Sequence, residues 1–354
     1  MFFNLIADDN INVAIGALAA NDPLATEYNR KSRTAFEGAL FYALGRNQEK
    51  AARCGYNFSL LFEYYSSDDK LSAFTKQQSL EKQGVWLTVG PDRSDHFIVA
   101  AQGAKESVLF SGMASSSEVM KLEYPAVSLA FSNGDTAVEL SRAIKHNNYG
   151  STYGIASDKS CKTCTDFSSE FKKVFGIPKF EADVNENNFS VAVLDEMIAK
   201  NKPDFLLLPI YSRLAGRILA SLRDKYPNLK SAGNDGWGDD KFSFLTRFPI
   251  GENQKGLTVR QGAPTEQLIK IFNASSLFFG TDGEEVHLVP TSSLIQVNAI
   301  TNTVKLLCEK KPKSRVEFFN LMKTRVSHLK AKLPLAVYEL KNGALIYGEA
   351  NGRK

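Results

Sequence analysis

Hydrophobic positions along the chain follow two alternating periods. "INVAIGAL" (11–18) is short, apolar and rich in β-branched residues, the pattern of a buried strand. "RTAFEGALFYALG" (33–45) instead puts Phe36, Ala39, Leu40 and Ala43 on one helical face. "NFSLLFEYY" (57–65) predicts a strand, "LSAFTKQQSLEKQG" (71–84) a helix closed by Gly84, and "VWLTVG" (85–90) a strand. Two more strands, "SVLFSG" (107–112) and "PAVSLAF" (125–131), each follow a further helical stretch.

A second set repeats the pattern. "DTAVELSRAIKHN" (135–147) predicts a helix with Asp135 as its N-cap. A strand at 151–157, a helix at 165–176 ending at Gly176, a helix at 191–201 and a fully buried strand at 204–210 follow. "RLAGRILASLRDKYP" (213–227) is a helix stopped by Pro227, and Leu229 to Ala232 a short strand. Strands alternating with helices of these lengths predict βαβ units and parallel sheets, and two sets predict two α/β lobes. Near the end come two helices, 292–311 and 315–330, and then "LAVYELKNGALIYGE" (335–349), two strands around Asn342-Gly343. That dipeptide is the strongest hairpin signal in the chain.

Composition narrows the function. The chain has 354 residues, 43% hydrophobic and 23% charged, with a formal net charge of +4. This is the balance of a globular protein of two ordinary domains. No Lys/Arg block stands out, so no nucleic-acid partner is expected. The longest apolar runs, such as 205–210, are far shorter than the ~20 residues of a spanning helix. The start lacks the basic region of a signal peptide.

Catalytic signatures are missing: there is no H-E-x-x-H, G-x-S-x-G, Walker A or G-x-G-x-x-G pattern. His96, His146, His287 and His328 are scattered, and no enzyme, metal or cofactor is expected. Cys161 and Cys164 form a C-x-x-C without the second pair a zinc ribbon needs. The spacing leaves a local disulfide, two free thiols and a redox pair all open, and does not say whether Cys54 and Cys308 pair.

What remains is a set of polar residues just after strands, where open parallel sheets bind their ligands. "VWLTVGPDRSD" offers Ser94 and Asp95; "VLFSGMASSSEV" offers Ser115, Ser116 and Ser117. Hydroxyls and free N–H groups in such turns suit a carboxylate, and plain helix capping is the competing reading. In the second set, "LLLPIYSRLAG" offers Tyr211 and "AGNDGWGDD" offers Asp235, whose competing reading is a surface Asx-turn. A ligand held by both sets would be negative at one end and positive at the other, as an α-amino acid is.

The order and spacing of "NVAIGAL", "TAFEGALFYAL", "GVWLTVGPDRSD", "VLFSGMASSSEV", "DFLLLPIYSRLAGRILASLR" and "GNDGWGDD" resemble the type I periplasmic solute-binding proteins. The branch is that of the branched-chain amino-acid (Leu/Ile/Val) ABC transporters. The resemblance implies two Rossmann-like lobes with parallel sheets, joined by a three-stranded hinge crossing near Phe131, Phe248 and Leu333. It implies lobe 1 from 11–131 plus 249–332, lobe 2 from 132–248 plus 333–354, and a ligand cleft between them. By position, Ser94 and Ser115 hold the ligand carboxylate, with backbone from Met113 and Ser116 beside them. Asp235 receives the ammonium, in place of the family's usual Glu, and Tyr211 is the cleft aromatic. Where the family has Tyr-Gly after "SDK", this chain has "SDKSCKTC"; Lys162 or a neighbour takes that place, favouring a polar or acidic ligand group. The resemblance further implies capture of an amino acid or polar derivative in the periplasm, with delivery to a membrane ABC permease. A sensor input domain of the same fold is the alternative.

Overall fold

The computed structural model describes residues 10–21, 27–66, 68–185, 189–238, 250–261, 291–326, 335–341 and 344–348. The chain divides into two compact units, residues 1–130 with 263–332 and residues 131–262 with 333–354.

In the first unit β1 (Ile11–Ala20), α1 (Glu27–Arg53), β2 (Tyr56–Tyr65), α2 (Lys70–Lys82), β3 (Leu87–Val89), α3 (Ser94–Ala101), β4 (Val108–Ser111) and β5 (Ala126–Ser128) follow one another. All five strands are parallel, in the order β2-β1-β3-β4-β5. Ala73 and Leu80 of α2 and Phe97 and Ala100 of α3 pack with Leu18, Leu109 and Ala126 of the sheet. Asp69 caps α2 by accepting the Leu71 N–H at 2.9 Å. Two later helices, α8 (Thr291–Lys310) and α9 (Arg315–Arg325), belong to this unit. Asn47 of α1 donates to Thr301 of α8 at 3.0 Å. A disulfide joins Cys54 to Cys308 at the far ends of the same two helices. Arg315 pairs with Glu81 and donates to the Glu81 and Glu106 carbonyls at 3.1 Å, fixing α9 against the end of α2.

The second unit runs α4 (Asn133–His146), β6 (Tyr153–Ser157), α5 (Lys162–Phe175), β7 (Phe180–Asp183), α6 (Val191–Asn201), β8 (Phe205–Leu208), α7 (Ser212–Leu222), β9 (Lys230–Gly233), β10 (Lys255–Gln261), β11 (Leu335–Lys341) and β12 (Ala344–Gly348). Its strand order is β12-β11-β10-β9-β8-β6-β7, parallel from β10 through β7 and antiparallel for the β11–β12 hairpin. Successive residues of β8 point to opposite faces. Leu206 and Leu208 pack with Ile218, Leu219 and Leu194 of α7 and α6, whereas Phe205 and Leu207 pack with Leu140, Phe167 and Phe171 of α4 and α5. A central strand buried on both faces explains the unbroken apolar run that marked it in the sequence.

Several expectations change. The first helix begins at Glu27, well before 33. Ser132, not Asp135, caps α4: its side chain accepts the Asp135 N–H while the Asp135 carboxylate accepts the Ser132 N–H, a reciprocal capping box. Residues 249–262 fall in the second unit, because β10 hydrogen-bonds to β9 and β11. The expected crossings near Phe248 and Leu333 and the hairpin turn at Asn342-Gly343 lie outside the described residues.

Candidate functional site

The expected site residues lie just beyond the carboxyl ends of adjacent parallel strands, in each unit separately. In the first unit, β3 and β4 are neighbours. Ser94 opens α3 and is 4% exposed. Its Oγ accepts the backbone N–H groups of Ser115 and Ser116, both at 3.2 Å. Serine hydroxyls hold the rest of that turn as well. Ser111 Oγ accepts the Met113 and Ala114 N–H groups at 3.2 and 3.1 Å, and Ser128 Oγ donates to the Ala114 carbonyl at 2.6 Å.

This geometry brings Ser94, Ser115 and Ser116 together and alters their expected division of labour. The Met113 and Ser116 N–H groups, expected to face a ligand, are spent inside the turn. Ser94 accepts two N–H donors, and its own hydroxyl proton remains to be given to an anion. Asp95 does not oppose such an anion strongly. It lies 3.3 Å from Arg93 and 3.4 Å from Lys70, and His96 Nδ1 is 2.9 Å away. Burial works to raise its pKa, but the His96 hydrogen bond and these cations override it and hold the carboxyl well below the usual range.

Asp92 lies two residues before Ser94, where with Arg93 it is expected to make the turn more polar than a leucine site. It is partly buried and, among the described residues, receives only a 3.4 Å hydrogen bond from Gln296 Nε2 of α8. Burial outweighs that bond and pushes the carboxyl up to about 6. Among the described residues, the buried Gln296 Oε1 atom has no hydrogen-bond partner.

In the second unit, β6, β8 and β9 are neighbours, and the residues after them are Lys162, Tyr211 and Asp235. Lys162 is exposed and is the first residue of α5. Tyr211, the N-cap of α7, is 50% exposed. Asp235 begins a 3-10 turn, Asp235–Gly238, and is partly buried. The turn is not a loose surface feature. Trp237 is fully buried and donates its Nε1–H to the Leu208 carbonyl at 3.0 Å. Thr258 of β10 donates to the Asn234 carbonyl at 2.6 Å. A Cβ at Gly233 would lie 2.1 Å from the Trp237 ring, and one at Gly236 3.3 Å from the Tyr211 ring. Only glycine lets the indole close over the strand end, and Gly236 lets Tyr211 lie against the Asp235 turn. Gly233 and Gly236, the two glycines before Trp237 in "GNDGWG", were the available signal for this anchor.

Among the described residues no helix is long and apolar enough to cross a membrane, and no group of three or more His, Cys, Asp or Glu is placed to hold a metal ion.

Neither family models nor curated proteins give a match to the sequence. Solved structures do match along nearly its whole length. The branched-chain amino-acid transporter substrate-binding protein of Streptococcus pneumoniae, in complex with isoleucine, is 15% identical with a TM-score of 0.71, over 96% of this chain and 100% of that one. An ABC-transporter solute-binding protein of R. palustris, in complex with 4-hydroxybenzoate, is 13% identical with a TM-score of 0.73, over 96% of both chains. A fatty-acid ABC-transporter substrate-binding protein of Thermomonospora curvata is 12% identical with a TM-score of 0.67, over 97% of this chain and 92% of that one. The chain therefore has the α/β fold of two units with parallel sheets that ABC-transporter solute-binding proteins of type I share.

Proposed function

We propose that this chain is an extracytoplasmic solute-binding protein that captures a small carboxylate, an α-amino acid or a polar derivative of one, for ABC-type uptake. The observation that carries the reading is Ser94. Its oxygen is saturated by two backbone N–H groups, so it serves as a hydroxyl donor at the strand-end edge of the first unit. The matched structures are consistent with this choice of anion. Isoleucine, 4-hydroxybenzoate and fatty acids differ in nearly everything except a carboxyl group.

The amino group is argued from the second unit. Asp235 is held by the Trp237 anchor beside the half-exposed Tyr211 ring, an acid and an aromatic face suited to an ammonium group. The first unit thus offers a hydroxyl donor for a carboxylate, and the second an acid and an aromatic ring for an ammonium group. The partner, by analogy with the matched transporter proteins, is a membrane permease that reads the liganded protein. The structure closes Cys161 and Cys164 into a second, local disulfide beside Cys54–Cys308, and the two support an oxidising compartment such as the periplasm.

Isothermal titration with α-amino acids tests the assignment. A hydrogen bond to a charged group contributes about 1.5–3 kcal/mol, so Ser94→Ala should weaken binding roughly 10- to 100-fold. Asp235→Asn should weaken amino acids by a similar factor and leave carboxylic acids without an amine unchanged. Unchanged amino-acid affinity in both variants would refute the reading.

A further inference from the structure

We propose that the Cys161–Cys164 disulfide is a thiol–disulfide exchange site, opened by a dithiol that attacks Cys161. The two sulfurs are unequal. Cys161 is the N-cap of α5 and partly exposed, whereas Cys164, one turn on, is 1% exposed. An incoming thiolate therefore meets Cys161 first. The Cys161 Sγ already accepts the Cys164 N–H at 3.2 Å. A thiolate left at that position keeps the bond and faces the positive end of a 14-residue helix. These surroundings favour thiolate over thiol and make Cys161 both a reactive nucleophile and a good leaving group.

The second disulfide has the opposite setting. Cys54 follows directly on Arg53, the last residue of α1, and Cys308 lies in the last turn of α8. Both sulfurs thus sit at helix carboxyl ends, and Cys308 Sγ is 3.8 Å from the Lys50 carbonyl oxygen. Carbonyl ends disfavour a thiolate, so Cys54–Cys308 is a staple that exchanges poorly. The molecule carries its own control.

The exchange is a two-electron transfer. A thiolate of the dithiol attacks Cys161 Sγ, the S–S bond breaks, and Cys164 leaves with the electron pair and takes up a proton. The second thiolate of the dithiol then attacks the dithiol's own sulfur in the mixed disulfide, and Cys161 leaves as thiolate. The protein pair ends as a Cys164 thiol and a Cys161 thiolate, one of the dithiol's protons going to Cys164 and the other to solvent. The dithiol, having lost two electrons and two protons, closes to its disulfide.

The test uses the full chain in mixtures of reduced and oxidised dithiothreitol at pH 7. Acid quenching, alkylation and peptide mass spectrometry then read each pair separately. Cys161–Cys164 should be half reduced at a reduced-to-oxidised ratio about 100-fold lower than Cys54–Cys308. Equal ratios, or the reverse order, would overturn the proposal. In Cys164→Ser, the alkylation rate of Cys161 against pH should show a midpoint below the ~8.5 of a free thiol. A midpoint at or above that value would also overturn it.

Discussion

Asp92 shows how much a single residue's surroundings can hide from the sequence. Its carboxyl, ordinarily near 3.8, is pushed up to about 6 by burial that the long Gln296 hydrogen bond does not offset. As pH rises through this interval the unfolded carboxyl ionises first, so the folded state holds the extra proton. Stability from this group is therefore full below about pH 4, falls between pH 4 and 6, and stays lost above. The shift sets an upper limit of about 3 kcal/mol on the change. Urea unfolding of Asp92→Asn and the parent protein at several pH values checks this. The variant should gain stability relative to the parent as pH rises from 4 to 6, whereas a difference independent of pH would contradict the assignment. Ser94, Ser115, Tyr211 and Asp235 were legible as strand-end residues because position after a strand is local information. The Asp92–Gln296 contact spans 204 residues, and no local pattern announces it.

At the scale of elements, the Asp235–Gly238 turn matters most. Trp237 fills the space over Gly233 and ties the turn to β8 through the Leu208 carbonyl. Trp237→Ala should cost about 3–5 kcal/mol of stability, as removal of a fully buried aromatic does. It should also abolish amino-acid binding at temperatures where circular dichroism still shows a folded chain. Retained affinity would mean that the turn does not position Asp235. Most strands and helices were legible from their periods, and α6 was read to its observed bounds. Two strands escaped. β7 (Phe180–Asp183) is an edge strand that does alternate, Phe-Glu-Ala-Asp, but its four residues are the shortest run from which a strand can be read. β10 was grouped with the wrong lobe because its partners, β9 and β11, lie far before and after it. Its membership is a property of pairing, not of its own sequence. The start of α1 was missed because "EYNRKSR" carries almost no apolar residues to set a period.

At the scale of the whole molecule, the two disulfides differ in what they constrain. Cys54–Cys308 closes a separation of 254 residues, against 3 for Cys161–Cys164. Chain entropy makes the longer loop worth roughly 4 kcal/mol more to the folded state. Cys54→Ser/Cys308→Ser should lower the urea midpoint clearly more than Cys161→Ser/Cys164→Ser. Equal losses would show that local packing, not loop closure, sets their contributions. The fold itself was legible from the order of elements, because a chain that repeats βαβ units has few ways to bury its sheets.

The central claim is that the ligand is a carboxylate, with an amino group that Asp235 reads. Thermal unfolding against paired compounds tests it most directly: each α-amino acid at millimolar concentration beside its deaminated acid and its amide. A ligand at 100 times its Kd adds about 2.7 kcal/mol, which for a chain this long is roughly 3–5 °C in Tm. The account predicts such a shift for at least one α-amino acid, a smaller one for the deaminated acid, and none for the amide. An amide that stabilises as well as the acid, or a panel of carboxylates without effect, would contradict it.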